Sequence, residues 1–382
     1  MKRVIIFGND HTNSVGLVQA LGKFGYRSVA LLYGKKTGLV KSSRFTDFVI
    51  SGKDPQDCID NLLKQNLSST TKIPIIAGSD SCALFLEKNK DKLQKYFVFE
   101  HTTKEFSIEE LLDKKLQVKL ASEANFYVPQ SIEFSEVGSL PVKVMPFAPP
   151  YIFKPLVSCK GTKSDITICR TLEELNEKLA VTLLHTHVLV QQYIERDYEI
   201  SILGCGLSDG RVLIPAVEHK LTLYPKYVGL ECLAKMEPLY DEEIKNSIVA
   251  LVKKIGYVGL FSVEMMHCKN DGKYYFTEIN PRNDGAESFV TQYGVNLPLN
   301  HVEDLLKLPM TSVKETKPGH YIWDFHQFMS LIHRDISVIQ FIKEWKMSHG
   351  ALMYIKGDTR PFYKQYSNWF LEKIKVRKPK NY

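Results

Sequence analysis

The segment from Phe261 to Arg282 places two acids, an amide and an arginine at spacings that suit metal chemistry: Glu264, Glu278, Asn280 and Arg282. Two β-patterned runs flank Asn270-Asp271-Gly272, which predicts a hairpin with Gly272 in the left-handed position of a three-residue loop. That register pairs Lys269 with Lys273 and sets Glu264 directly opposite Glu278, whereas a two-residue Asp-Gly loop would shift the strands by one and part them. Side chains alternate along a strand, so Asn280 shares a face with Glu278 while Thr277 and Ile279 point away. Like charges facing each other destabilise a hairpin, and a compensating cation relieves them. Three oxygen donors suit a hard divalent ion; Mg2+, or Mn2+ in its place, completes its shell with water and phosphate oxygens. The alternative is a solvated hairpin carrying two exposed glutamates.

The order Glu264, then Glu278-Ile279-Asn280-Pro281-Arg282, preceded by Lys154 and by Gln191-Gln192-Tyr193-Ile194, resembles the ATP-grasp superfamily over roughly residues 1–312. The opening Asn9-Asp10-His11-Thr12-Asn13-Ser14-Val15-Gly16-Leu17 and the aromatic C-terminal region are most similar, within it, to carboxylate–amine ligases of the D-aspartate ligase kind. The resemblance implies an α/β ATP-grasp fold with an N-terminal Rossmann-like parallel sheet and a C-terminal extension. It implies ATP and Mg2+ as cofactors, with Glu264, Glu278 and Asn280 as the metal set. Lys114 falls where the family puts a basic residue near the ATP phosphates, and Lys154 matches the residue that ends a lid strand and touches the α- and β-phosphates. The carbonyl of Gln192 and the N–H of Ile194, on either side of Tyr193, fall at the adenine edge, and Glu199 at the ribose hydroxyls. The lid loop of the family is usually rich in glycine, but here Leu156 to Asp165 holds one, Gly161. Lys160 and Lys163, with Ser158, Thr162 and Ser164, are the candidates to replace the missing amide contacts; an ordinary exposed hairpin tip is the competing reading.

From this site a reaction follows. A substrate carboxylate attacks the γ-phosphate, Lys154 and Arg282 neutralise the developing charge, and an amine displaces phosphate from the acyl phosphate. Arg282 suits that task because a planar guanidinium fork matches a carboxylate or acyl phosphate in a way an ammonium cannot. The segment Glu218 to Gly229, read as lying between two strands, offers His219 and Lys220 for an anionic substrate, with a solvated loop as the alternative. Two readings from other classes compete: a nucleotide-binding module without ligase turnover, and a dinucleotide-dependent oxidoreductase on the N-terminal sheet. The second lacks a G-x-G-x-x-G run.

These residues need elements to position them. Val4–Phe7, 14–24, Ser28–Leu32, 56–66 and Ile73–Ala77 alternate as strands and helices of a parallel sheet over residues 1–106. Residues 107–312 form the clamp, with a lid lobe at about 125–192 and a larger lobe at about 193–312; one helix spans 107–124. A second helix is bounded by Asp241 as cap and Gly256 as stop, with Ile244, Ile248, Leu251, Val252 and Ile255 on one face. Residues 313–382 are aromatic and basic, and the aromatics predict a surface docked on the body. The chain has 382 residues and a net charge of +7, and residues 371–382 contribute five basic groups against one acid, so the body gives no case for nucleic acid. Seven scattered cysteines without metal spacing, no apolar leader and no transmembrane run point to a reduced, cytoplasmic protein; the resemblance implies small carboxylic acids and amines as its partners, and a homodimer is left open.

Overall fold

The computed structural model describes residues 2–65, 71–136, 138, 140–155, 167–184, 187–225, 230–311 and 318–377. Lys2–Asn9 (β1), Tyr26–Tyr33 (β2), Thr46–Gly52 (β3), Ile73–Ala77 (β4) and Phe97–Phe99 (β5) form a parallel sheet in the order β3-β2-β1-β4-β5. Its central strands are buried along their length, which is why Val4 to Phe7 reads as an unbroken apolar run. The helix Thr12–Gly22 follows β1 and carries Asn13 at its start.

His101–Thr102 (β6) pairs with a larger sheet. Ser131–Phe134 (β7), Tyr151–Pro155 (β8), Thr167–Cys169 (β9) and Val188–Gln192 (β10) make a separate antiparallel sheet in the order β7-β10-β8-β9. Arg196–Gly206 (β11), Val212–Tyr224 (β12), Leu230–Glu237 (β13), Tyr257–Cys268 (β14), Tyr274–Asn280 (β15), Gly319–Ile322 (β16) and Gly350–Ala351 (β17) lie in the order β15-β14-β11-β12-β13-β16-β17, with β6 beside β14. By packing, the chain forms two compact units: Met1–Asn125 with Tyr198–Met265 and Glu278–Tyr382, and Phe126–Asp197 with Met266–Thr277. The first unit takes residues from each of the three compositional stretches, 1–106, 107–312 and 313–382.

Local rules explain most element ends. Asp241 accepts from the Ile244 N–H, and Gly256 closes the helix Glu242–Ile255 in the left-handed region at φ 64°. The single helix read across 107–124 is in fact two, Ile108–Leu111 and Lys114–Glu123. Asp113 leaves helical geometry and caps the second helix, accepting from the N–H groups of Lys115 and Leu116, so its side chain competes with a continuous helix.

The main core of the first unit joins strand residues Val4, Ile6 and Ala30 to Leu203, Ala216 and Leu260 of the large sheet. The C-terminal region belongs to the same core. Trp323 meets Phe289 edge-on with centroids 5.6 Å apart, and the Asp358 carboxylate accepts from Gln19, Ser43 and the Arg44 N–H. The second unit has its own core around Tyr151, Phe153, Leu175 and Val190. Among the described residues no helix is long and apolar enough to cross a membrane. The described cysteines are buried and unpaired, and burial pushes the Cys82 and Cys232 thiols up to about 12.

Candidate functional site

Lys220 is the centre of the charged region in the first unit. It lies in β12, where alternation puts Glu218 and Lys220 on one face and His219 on the other. Register brings Glu199 of β11 opposite Lys220. The Lys220 ammonium lies 3.0 Å from Glu231, 3.3 Å from Glu264 and 3.8 Å from Glu199, with only 7% of its side chain exposed. Burial alone would lower its pKa, but Glu264, Glu231 and Glu218 outweigh that and hold the charge on.

Glu264 and Glu278 both lie in this region, by a different path from the one expected. At the turn, the Cys268 N–H donates to the Lys273 carbonyl and the Gly272 N–H to the Cys268 carbonyl. Cys268 therefore faces both Gly272 and Lys273, with Gly272 left-handed at φ 69°, and Lys269 does not pair with Lys273 as expected. This is a glycine bulge, and the register it sets at the turn would oppose Glu264 to Thr277. At the far end, however, the Asn280 amide reaches Ser262 Oγ at 3.5 Å, the spacing that also aligns Glu278 with Glu264. Glu278 is one of the charges acting on Glu264, whose pKa is raised by burial first, against the pull of Lys220, with Glu278 adding to the rise. Burial would also raise Glu278, but Lys114 at 2.9 Å, Asn280 and Arg282 bring it below its ordinary value.

These donors can be weighed against a metal ion. Two carboxylates and a carboxamide are hard oxygen ligands, and the mutual repulsion of Glu264 and Glu278 is what a divalent cation relieves, so the residues fit Mg2+. Among the described residues no three His, Cys, Asp or Glu side chains are grouped so that they could hold a metal ion, so any site here rests on two carboxylates and an amide. The candidate set is an open one, of the kind that leaves coordination positions to water and phosphate.

Arg282 is not a free fork. Its Nε donates to Asp80 at 3.1 Å and its Nη1 to Asp284 at 3.3 Å, and these acids hold the guanidinium charged despite burial. Among the described residues no partner engages Nη2. The loop after Asn280 is tied to the N-terminal sheet as well: Asn13 donates to the carbonyls of Gly78 and Asn283 at 3.0 and 3.1 Å. His219 departs from the expectation of a joint site with Lys220. It pairs with Glu237 at 2.9 Å on the opposite face, because Glu218 to Tyr224 is strand rather than loop and successive side chains alternate.

In the second unit, Lys154 is the last residue but one of β8, and its ammonium donates to Gln191 Oε1 at 2.8 Å. The Gln192 N–H donates to the Gln130 carbonyl, and Ile194 is buried. Tyr193 and Ile194 lead to Glu195, whose carbonyl accepts from the Lys269 N–H at 2.8 Å. Lys160 and Lys163, with most of the loop around them, lie outside the described residues.

Several residues in the first unit escaped sequence reasoning. Glu218 is 1% exposed, its Oε1 has no hydrogen-bond partner among the described residues, and burial, Glu231 and Asp284 raise its pKa well above the carboxylate range. His326 stacks on Trp323 at 5.7 Å and meets the Glu231 carbonyl through Nδ1 at 2.9 Å, while its charge acts on His11. Burial and then that neighbour lower His11, which favours a neutral imidazole. The only signal available was a strand acid, Glu218, two residues from Lys220; nothing local joins it to residues 323–326.

Residues 119–293 match the ATP-grasp domain as a sequence family. Residues 119–293 of the chain belong to the ATP-grasp superfamily. This superfamily of ATP-dependent ligases accounts for the fold, and the matched stretch contains Lys154, Gln192, Tyr193, Ile194, Glu199, Lys220, Glu264, Glu278, Asn280 and Arg282, leaving Lys114 outside. This ATP-grasp chain is 26% identical over 260 residues to a D-aspartate ligase from Enterococcus faecium, covering 64% of the chain and 61% of that protein. It is also 26% identical over 177 residues to a formate-dependent phosphoribosylglycinamide formyltransferase from Bacillus subtilis, covering 44% of each. The matches thus span less than two thirds of these curated relatives. Its fold is similar to that of N5-carboxyaminoimidazole synthetase from Staphylococcus aureus, with a TM-score of 0.65 at 14% identity over 84% of this chain and 82% of that one. The biotin carboxylase subunit of a pyruvate carboxylase gives a TM-score of 0.58 at 18% identity over 84% and 74%.

Proposed function

We propose that this ATP-grasp protein is an ADP-forming carboxylate–amine ligase. The observation that carries the reading is the convergence of Glu264, Glu278 and Asn280 with Lys220, Lys114 and Arg282, acids and cations alternating in one region. Glu264, Glu278 and Asn280 would hold Mg2+ or Mn2+, which when bound neutralises phosphoryl charge and orients the nucleotide. Lys114, already against Glu278, is placed to exchange that carboxylate for a phosphate oxygen. Lys154 serves the α- and β-phosphates, the backbone of Gln192 to Ile194 the adenine, and Glu199 the ribose, as the superfamily implies. Arg282, clamped by Asp80 and Asp284, presents Nη2 in a fixed direction to the substrate carboxylate and then to the acyl phosphate. The carboxylate oxygen bonds to the γ-phosphorus as the bond to ADP breaks; the amine nitrogen then bonds to the acyl carbon, and inorganic phosphate leaves. Lys220 acts as the buried counter-ion that keeps Glu264 and Glu199 in place.

The relatives support an acid of amino-acid type, since one of them is named a D-aspartate ligase. Purified protein given ATP, Mg2+ and a panel of carboxylates that includes D-aspartate, with a panel of amines, should release ADP only when a suitable acid is present, with the amide detected by mass. ATP binding without acid dependence across the panel would favour a nucleotide-binding module. Micromolar binding of NAD(H) would favour the oxidoreductase.

A further inference from the structure

The helix Arg360–Arg377 docks on the first unit by two of its sides and turns a third outward. Along one flank, Tyr366 and Trp369 pack on Phe328 with centroids 5.1 Å apart in each pair, and the Tyr366 hydroxyl donates to the Asp324 carbonyl. Along the other, Asn368 donates to the Thr37 carbonyl at 2.8 Å and Glu372 pairs with Lys35. The remaining arc holds Tyr363, Ser367, Phe370, Leu371 and Ile374, positions that fall within roughly 100° of one another at the helical repeat. Its four large side chains are 60%, 60%, 52% and 42% exposed, and between Tyr363 and Ile374 no charged residue interrupts the stripe. A helix already held by two flanks does not need this third apolar face for its own docking.

The surrounding sequence is cationic. Residues 360–382 contain seven basic side chains, Arg360, Lys364, Lys373, Lys375, Arg377, Lys378 and Lys380, against the single acid Glu372, which is itself paired with Lys35. An apolar stripe of Phe, Leu, Ile and Tyr next to a dense run of Lys and Arg is the chemistry of a helix that lies in the interface of an anionic bilayer. A nucleic acid would satisfy the cations but leave Leu371 and Ile374 in water. A symmetric contact between two copies would bury the stripe but bring two cationic segments together.

We infer that the outward face of the helix Arg360–Arg377 binds anionic lipid surfaces peripherally, with Phe370, Leu371 and Ile374 inserted at headgroup depth and the net positive charge of the sequence around them supplying the attraction to the phosphates. This inference is independent of the ligase reading. The test is sedimentation of the 382-residue protein with vesicles of phosphatidylcholine alone and of phosphatidylcholine mixed with phosphatidylglycerol. The wild type should pellet with the mixed vesicles only, and less as salt rises. The double variant F370E/I374E, whose positions are exposed and therefore tolerant, should bind at least about tenfold more weakly while its far-UV circular dichroism and thermal unfolding match the wild type. Failure of the wild type to bind mixed vesicles, or equal binding by the variant, would overturn the inference. So would a dimer in light scattering that the double variant converts to monomer, which would assign the stripe to a second copy.

Discussion

Replacing Lys220 with methionine removes a cation shared by three acids. Methionine fills a similar volume, so packing changes little and the loss is electrostatic. Removing one partner of a buried ion pair costs about 3–5 kcal/mol. The side chains of Glu264 and Glu231 keep 28% and 15% of their exposure, and that access to water sets the expectation at the lower end, about 3 kcal/mol near pH 8. The penalty depends on pH in a definite direction. Glu264 has a folded pKa above its unfolded value, chiefly through burial, and loses its opposing partner in the variant. A carboxyl with a raised folded pKa contributes its stability in full below the unfolded value, and that contribution is lost as pH climbs through the folded value. The gap between Lys220→Met and wild type should therefore be small at about pH 4 and widen steadily toward about pH 8. All three tryptophans, 323, 345 and 369, belong to the first unit, so urea unfolding followed by tryptophan fluorescence reports on the unit that contains Lys220. Adding Glu264→Gln to Lys220→Met should restore about 1–2 kcal/mol at pH 8, because the neutral amide needs no counter-ion. A penalty below about 1 kcal/mol at both pH values, or one that is larger in acid, would refute this account of Lys220.

Other substitutions probe separate parts of the molecule. Glu278→Gln, at a side chain 24% exposed, should leave unfolding unchanged but cut metal-dependent turnover by at least about 100-fold, and calorimetry should find that Mg2+ no longer strengthens ADP binding. Arg282→Lys keeps the charge and loses the fork held by Asp80 and Asp284; kcat should fall at least about tenfold with little change in the affinity for ATP. Asp358→Ala strands the buried donors of Gln19, Ser43 and Arg44, and should cost about 1–3 kcal/mol in the same fluorescence assay. Burial pushes the Asp324 carboxyl up to about 7 even though it accepts backbone N–H groups from Met353 and Phe325. Its contribution is thus full below about pH 4 and lost as pH rises through 7, and Asp324→Asn should flatten the stability profile across that window. An unchanged slope would remove Asp324 as its source.

Much of this molecule could be read locally. The run Ile73–Ala77 and the helix that Asp241 caps and Gly256 stops are set by burial pattern and capping chemistry, both confined to a few neighbouring residues. The hairpin near Gly272 was legible as a turn, but its register was not, because a glycine bulge adds a residue to one strand without altering the alternation on either side. The split at Asp113 was missed for a related reason: an apolar period runs across it, while the side-chain cap that breaks the helix is a local competitor. Segment 218–224 looked like a loop because its charges interrupt the apolar pattern. In the fold those charges satisfy one another across strands, and the segment is strand.

The amino-acid sequence by itself determined the parallel N-terminal sheet, the oxygen donors that could hold a metal, and the superfamily. Each rests on short-range order: a period, a turn residue, or a run such as Glu278-Ile-Asn280-Pro-Arg282. Only the tertiary structure decided which charge neutralises which. Lys114 reaches Glu278 across 164 positions, and Asp80 reaches Arg282 across 202. Lys220 meets Glu199, Glu231 and Glu264 from three other strands. Such pairings follow from strand order, and strand order is set by the burial of the shared core around Ala216, Leu260 and Phe289, a collective quantity that no local stretch of sequence encodes.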